Sequence, residues 1–335
     1  MHGDKIELCA LYCRRFPSLA SRGVAREIIK DHPEVFANME NARKTVREVR
    51  GQNGVRDRLF NVDRFKDIRE KFAFDIPIAE PFNTTPFDLT DSRLLILADI
   101  HAPFHEPGIL DIAIKEGKKR GINAILLNGD TADAYRCSFF MRQPGLALFQ
   151  REKFCLVEIL DLLRRKFPNA PIYWKMGNHD DRLPHYIYQN APDLFDAESK
   201  TLTWESFLDV ADMGVNWIDS WRKIYYGKLC IVHGHEFGGG GIGSVSSVNP
   251  ARGLFLQTKS VALAAHSHQS SIHNEPDIRG RLLTCWSMGC MCQLAARYRP
   301  VTKWNHGFVV ATLKDGEGNF SVDNYRVLPS GELVT

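Results

Sequence analysis

Five short, mainly apolar runs in this 335-residue chain each stop at a cluster of imidazole, carboxylate or amide side chains. Leu94–Ala98 leads into Asp99-Ile100-His101, and Ala124–Leu127 into Asn128-Gly129-Asp130. Ile172–Met176 is followed by Gly177-Asn178-His179-Asp180, Leu229–Val232 by His233-Gly234-His235, and Val261–Ala265 by His266-Ser267-His268. Runs this short read as buried strands. Amphipathic stretches at 108–120 and 148–167 alternate with them, which predicts an α/β domain with a mostly parallel sheet. Ligands collect beyond the carboxyl ends of strands in such sheets. The clusters span 170 residues of sequence, yet are expected to meet in space. The outer members of Asp99-x-His101 and His266-x-His268 then face one place, because side chains alternate along a strand.

Carboxylate oxygen mixed with imidazole nitrogen suits manganese, iron or zinc better than calcium or magnesium. So many candidate ligands exceed the needs of one tetrahedral ion. They fit two ions about 3.5–4 Å apart that share a carboxylate, activate a water between them and clamp a phosphoryl group.

The ordered strings D-x-H, G-D-x-x-D, G-N-H-D, H-G-H and x-H-x-H over residues 94–315 resemble those of the calcineurin-like metallophosphoesterases. The resemblance implies two stacked β-sheets flanked by helices. It implies that Asp99, His101 and His268 hold one divalent metal and Asn178, His233 and His266 the other, with Asp130 bridging. Manganese is the first expectation, with iron or zinc as alternatives. His179 would protonate the leaving oxygen or steady the transition state, and Asp99 counts with it in the catalytic set. Arg182, three residues further on, could hold a phosphate oxygen in its fork, or form a surface ion pair with Asp180 or Asp181. Protein Ser/Thr phosphatases of this superfamily carry G-D-x-x-D-R-G and G-N-H-E. Here Ala134-Tyr135 and Asp180 stand instead, against a dedicated protein phosphatase.

The first 60 residues hold 12 Lys and Arg against eight Asp and Glu, while the remainder is nearly balanced. Apolar spacing predicts helices at Lys5–Phe16, Ser18–His32 and Met39–Arg50, closed by Gly51, in a helix-turn-helix-like module over 1–60. Arg43, Lys44, Arg47 and Arg50 cluster on the third helix, and a basic face there suits a nucleic-acid partner. A solvated face of a protein-docking module is the other reading. Residues 61–91, with Pro77, Pro81 and Pro86, are expected to be a linker, and 92–335 the catalytic domain. Residues 184–221 are expected to be helical, and Gly238–Gly241 a lid.

No apolar run approaches the ~20 residues that cross a bilayer, so no membrane partner is expected. Eight cysteines without a doubled CxxC spacing suggest reduced thiols in a cytoplasmic protein. The favoured function is hydrolysis of a nucleic-acid phosphodiester through a metal-bridging hydroxide. The alternatives are a phosphatase or phosphodiesterase for small nucleotides, and a catalytically inert DNA-binding protein.

Overall fold

The computed structural model describes residues 2–50, 84–140, 142–194, 201–208, 213–238, 248–295 and 301–335. The chain divides into two compact units, Met1–Pro81 and Phe82–Thr335. In the first, α1 (His2–Arg15), α2 (Ser21–Asp31) and α3 (Met39–Val49) enclose a core of Cys9, Tyr12, Val24, Ile28, Ala42 and Val46. Ala42, Val46 and Val49 recur at i, i+4 and i+7, so one stripe of α3 is buried. The Asn38 side chain accepts a hydrogen bond from the Asn41 amide and starts that helix. The cap expected at Gly51 and residues 61–83 of the expected linker lie outside the described residues.

The larger unit corrects the expected linker. Within 61–91, Phe87–Leu89 forms β1, which pairs in parallel with β6 (Ile224–Tyr226). Three residues are too few to display a period, and Pro86 before them suits the edge position that β1 occupies.

The two stacked sheets that the resemblance implies are present, and the expectation of mostly parallel pairing is corrected in one respect: both sheets are mixed. The seven-stranded sheet runs β13 (Leu333–Val334), β12 (Phe320–Val327), β11 (Gly307–Leu313), β2 (Arg93–Leu97), β3 (Ala124–Asn128), β4 (Ile172–Lys175), β5 (Val215–Ile218). Its β2 to β5 part is parallel, whereas β11 is antiparallel to β2. The six-stranded sheet runs β1, β6, β7 (Leu229–Val232), β8 (Ala262–Ala264), β10 (Leu282–Ser287), β9 (Ser271–Pro276). The strand β5 falls inside the stretch expected to be helical. Only Ile218 of its four residues is buried, so it lacks the apolar run that marks its neighbours.

Period-two alternation builds the layers. Leu94, Ile96, Ala124 and Leu126 face Ile231 and Leu263 of the second sheet. Leu95, Leu97, Ile125 and Leu127 face Ala113 of α4 (Pro107–Arg120) and Leu156 and Leu160 of α5 (Phe149–Lys166). Burial on both faces is why β2 and β3 read as unbroken apolar runs. The helix α8 (Pro250–Thr258) covers the far side of the second sheet through Ala251 and Leu254. The result is helix, sheet, sheet, helix. All eight cysteines are free, and among the described residues no helix is long and apolar enough to cross a membrane.

Candidate metal centre

The strands β2, β3, β4, β7 and β8 deliver the site from their carboxyl ends. Directly beyond β2, β3 and β8 the backbone enters the left-handed region at Asp99 (φ 51°), His101 (49°), Asp130 (51°), His266 (63°) and His268 (58°). Asp and His tolerate this conformation better than bulkier residues do, but each such residue still costs about 1–3 kcal/mol. Hydrogen bonds hold the turns: Asp99 N–H donates to Gly129 O (3.1 Å) and His101 N–H to Asp130 O (2.9 Å). Two glycines let the turns close. A Cβ at Gly177 would lie 2.3 Å from Asp130 Oδ1, and one at Gly129 2.2 Å from His233 Nδ1.

The donor atoms converge. His268 Nε2 lies 3.2 Å from Asp99 Oδ1, and His101 Nε2 lies 3.3 Å from His268 Nε2. Asp130 Oδ2 is 3.3 Å from His233 Nε2 and 3.7 Å from His101 Nε2, between the two groups of imidazoles. Donors bound at about 2.0–2.2 Å to one tetrahedral ion sit roughly 3.3–3.6 Å apart, so these separations are those of a coordination shell. Asp99 Oδ1, Asn178 Oδ1 and His233 Nε2 are buried without a hydrogen-bond partner among the described residues. Orphaned buried acceptors are expensive, and two of them, His233 Nε2 and Asp99 Oδ1, lie 4.0 Å apart, which fits divalent cations. His266 completes a group with Asp130 and His233 whose ligand atoms lie within 4.8 Å of one another.

Neighbouring groups aim the imidazoles. His233 Nδ1–H donates to Asn128 O (2.8 Å), which leaves Nε2 as the lone-pair nitrogen. Asp133 Oδ1 lies 3.0 Å from His101 Nδ1 and 2.9 Å from His179 Nδ1, so one carboxylate oxygen orients both rings. Arg182 donates from Nη1 to Asp133 O (2.9 Å), and its Nη2 lies 2.9 Å from His179 Nε2. The alternative surface pairing of Arg182 with Asp180 or Asp181 does not form; Asp180 accepts instead from the amides of Gly177 and Ala132.

Charge is balanced within the cluster. Burial alone would raise the Asp99 and Asp130 carboxyls, but the imidazoles of His268 and His233 outweigh it and hold both below the usual range. Burial would likewise lower His233 and His268, yet Asp130 and Asp99 respectively push them up to about 10. The field that holds protons on these rings is the field that attracts a cation, and binding one expels them. Asp180, wholly buried and beside Asp130, is pushed up to about 7.

The structure thus brings Asp99, His101, Asp130, His233, His266 and His268 together, with His179 and Arg182 beside them. His105, four residues past His101, lies with its Nδ1 3.5 Å from Cys155 Sγ. Sequence reasoning passed over Asp133, Lys175, Asp180 and Glu236. Asp133 and Asp180 were visible as the last letters of Gly129-x-x-x-Asp133 and Gly177-Asn-His-Asp180, whereas Lys175 and Glu236 carry no motif. On α3 of the N-terminal unit, Lys44 is exposed and Arg47 partly so. Arg43 pairs with Glu40 (3.3 Å), and Arg50 donates to Phe16 O and Ser21 Oγ, where it ties helices together.

A two-sheet sandwich with such a carboxylate–imidazole cluster at its strand ends has the build of a metal-dependent hydrolase. The profile described as calcineurin-like phosphoesterase matches residues 92–277, more than half of the chain, and the chain belongs to that family. The gene 54 protein of Mycobacterium phage L5 is 25% identical over 252 residues, which are 69% of this chain and 96% of that protein. Among solved structures, the Escherichia coli phosphoesterase YfcE aligns with a TM-score of 0.35 and 12% identity, over 72% of this chain and 97% of its own. A dimetal phosphatase from Danio rerio aligns with a TM-score of 0.36 and 9% identity, over 70% and 96% of the two chains.

Proposed function

We propose that the chain is a two-metal phosphodiester hydrolase acting on nucleic acid. The hydrolytic part rests on one observation, the place of Asp130 Oδ2 between His233 and His101. On this reading Asp99, His101 and His268 would hold one cation and Asn178, His233 and His266 the other, with Asp130 available to both. Manganese is the proposed ion, since the donor set mixes oxygen and imidazole. Bound cations supply a water of lowered pKa as nucleophile and neutralise the phosphoryl oxygens.

The chain's own side chains do the rest. Asp133 accepts from Nδ1 of His179 and fixes that ring, while Arg182 faces its Nε2. A substrate phosphate competes for the Arg182 fork. Once the guanidinium turns to it, His179 Nε2 is released to hold a proton for the leaving oxygen.

The nucleic-acid part rests on Lys44 and Arg47 on α3, with Arg43 beside them; Arg50 is committed to the module's own packing. That commitment of Arg50 favours the second reading, a small-nucleotide phosphodiesterase whose helical unit docks to a protein. The Mn²⁺-loaded protein, assayed in parallel on bis-p-nitrophenyl phosphate, p-nitrophenyl phosphate and labelled single- and double-stranded DNA, separates them. Diester over monoester turnover with DNA cleavage is expected. Diester turnover without DNA cleavage selects the second reading, and a monoester preference overturns both.

A further inference from the structure

A cleft of about 580 Å³, within the size range of small-molecule sites, opens along the helix that begins at Arg182. Its walls come from the segment between β3 and α5 (Arg136 and Arg142), from the start of α5 (Phe149), from α6 (Arg182–Asn190; Tyr186 and Ile187) and from α7 (Trp204–Leu208; Phe207). Three of these six are aromatic and two are arginines, and among the described residues no carboxylate lines the cleft. Among the described residues neither arginine is paired with an acid. Arg142 instead donates through Nη1 to Arg136 O (2.6 Å), and Tyr135 Oη accepts from the Gln143 amide (2.7 Å), so the segment is folded onto itself.

The cleft and the centre share a wall. Arg136 follows Asp133 by three residues, and Tyr186 lies one helical turn beyond Arg182. Leu183, the residue directly after Arg182, lines the cleft, as does Cys137 of the turn that follows Asp133. Arg182 is the residue that touches His179. A ligand with a phosphate at the centre can therefore extend into a space walled by rings and cations.

We propose that this cleft seats the nucleobase next to the scissile phosphate, against Tyr186 and Phe149, with Arg136 and Arg142 receiving the flanking phosphate oxygens. The inference deepens the nucleic-acid reading above and rests on it. A flat apolar ring joined to an anion is the chemistry these walls recognise: rings stack on bases of any sequence, and the arginine fork takes phosphate. The two guanidiniums on the walls are the charge complement of such a ligand.

The test compares thymidine 5′-monophosphate with inorganic phosphate by calorimetry on the full, Mn²⁺-loaded chain. Tyr186 is 37% exposed, so Tyr186→Ala is made at the surface, and Arg142→Ala is the second variant. Wild type is expected to bind the nucleotide roughly tenfold or more tighter than phosphate, and each variant to lose most of that gap. A parallel readout is the ratio of kcat/KM for thymidine p-nitrophenyl phosphate esters, 5′ and 3′, to that for methyl p-nitrophenyl phosphate. The variants should lower it. Equal affinity for nucleotide and phosphate, or a gap that both variants leave intact, overturns the proposal. A chain that distinguishes the nucleotide yet hydrolyses no diester keeps the cleft and loses the proposed function. Diester turnover with no preference for the nucleoside does the reverse.

Discussion

Lys175 and Glu236 meet between the two sheets: Nζ at the end of β4 lies 3.0 Å from Oε1 just beyond β7, and the lysine is wholly buried. Lys175 also donates to Ser220 O (2.6 Å). The two Glu236 oxygens accept from the amides of His233 (3.0 Å) and Gly234 (2.6 Å). Burial would raise the Glu236 carboxyl, but Lys175 holds it down at about 2. The pair thus pins the turn that carries His233 to the strand that precedes Asn178.

Removing one member strands the other charge in the interior. Lys175→Met should destabilise the larger unit by roughly 3–5 kcal/mol, and Glu236→Ala should also weaken metal binding by about 10–100-fold. Urea unfolding and metal titration read the two effects. An unfolding midpoint unchanged in Lys175→Met would show that the pair is not holding the sheets.

Asp130→Asn removes the anion that lies between the two imidazole groups. Metal content should fall from two per chain, measured by elemental analysis, and turnover of bis-p-nitrophenyl phosphate should vanish. Full turnover with a single ion bound would contradict the assignment.

His179→Ala should lower kcat by about 10²–10⁴-fold if the ring is a proton donor. Metal content should remain near two per chain. Asp133→Asn should lose both effects at once, because one oxygen orients His179 and also the ligand His101. Metals lost from His179→Ala would make that ring a ligand and redraw the site.

Glu152 is buried on α5, where its Oε1 accepts from the Ala134 amide and Oε2 has no partner among the described residues. Burial pushes its carboxyl up to about 8. The folded state therefore prefers the protonated acid. The stability it confers is complete below the unfolded value near 4.3 and is lost as pH rises through 8, on the order of a few kcal/mol in all. Glu152→Gln should flatten the fall in urea midpoint between pH 5 and 9. A fall as steep as in wild type would assign it to other groups.

Arg43, Lys44 and Arg47 can be replaced by alanine without touching the bonds of Arg50 that join α1 to α3. If the face engages phosphates, duplex DNA affinity should fall with salt at a log–log slope of about −0.9 per contact, and the triple variant should flatten it by up to three contacts' worth. An identical slope would take the helical unit out of nucleic-acid binding.

The strand-end ligands were legible because they follow apolar runs. The strand alternation expected to bring Asp99 to His101, and His266 to His268, is not what does so. All four lie beyond the strands with left-handed backbone, and the turns converge them instead. Asp133 was legible as a letter but not as a role, since its contact with His101 and His179 joins segments more than 30 residues apart. A lysine at a strand end reads as a solvated cap, and only the second sheet makes Lys175 a buried one. The strand β1 hid behind Pro86, and β5 behind its half-exposed tryptophan. The cleft along α6 was invisible for another reason: its walls come from four elements, none of which has a distinctive string of its own.

The left-handed residues carry a consequence for how this protein could drift. At Asp99, His101, Asp130, His266 and His268 a glycine would relax the backbone and discard the ligand in one step. Selection for heat resistance alone would therefore erode these positions first. A homologue found with glycine at several of them should be a tougher fold and an idle one.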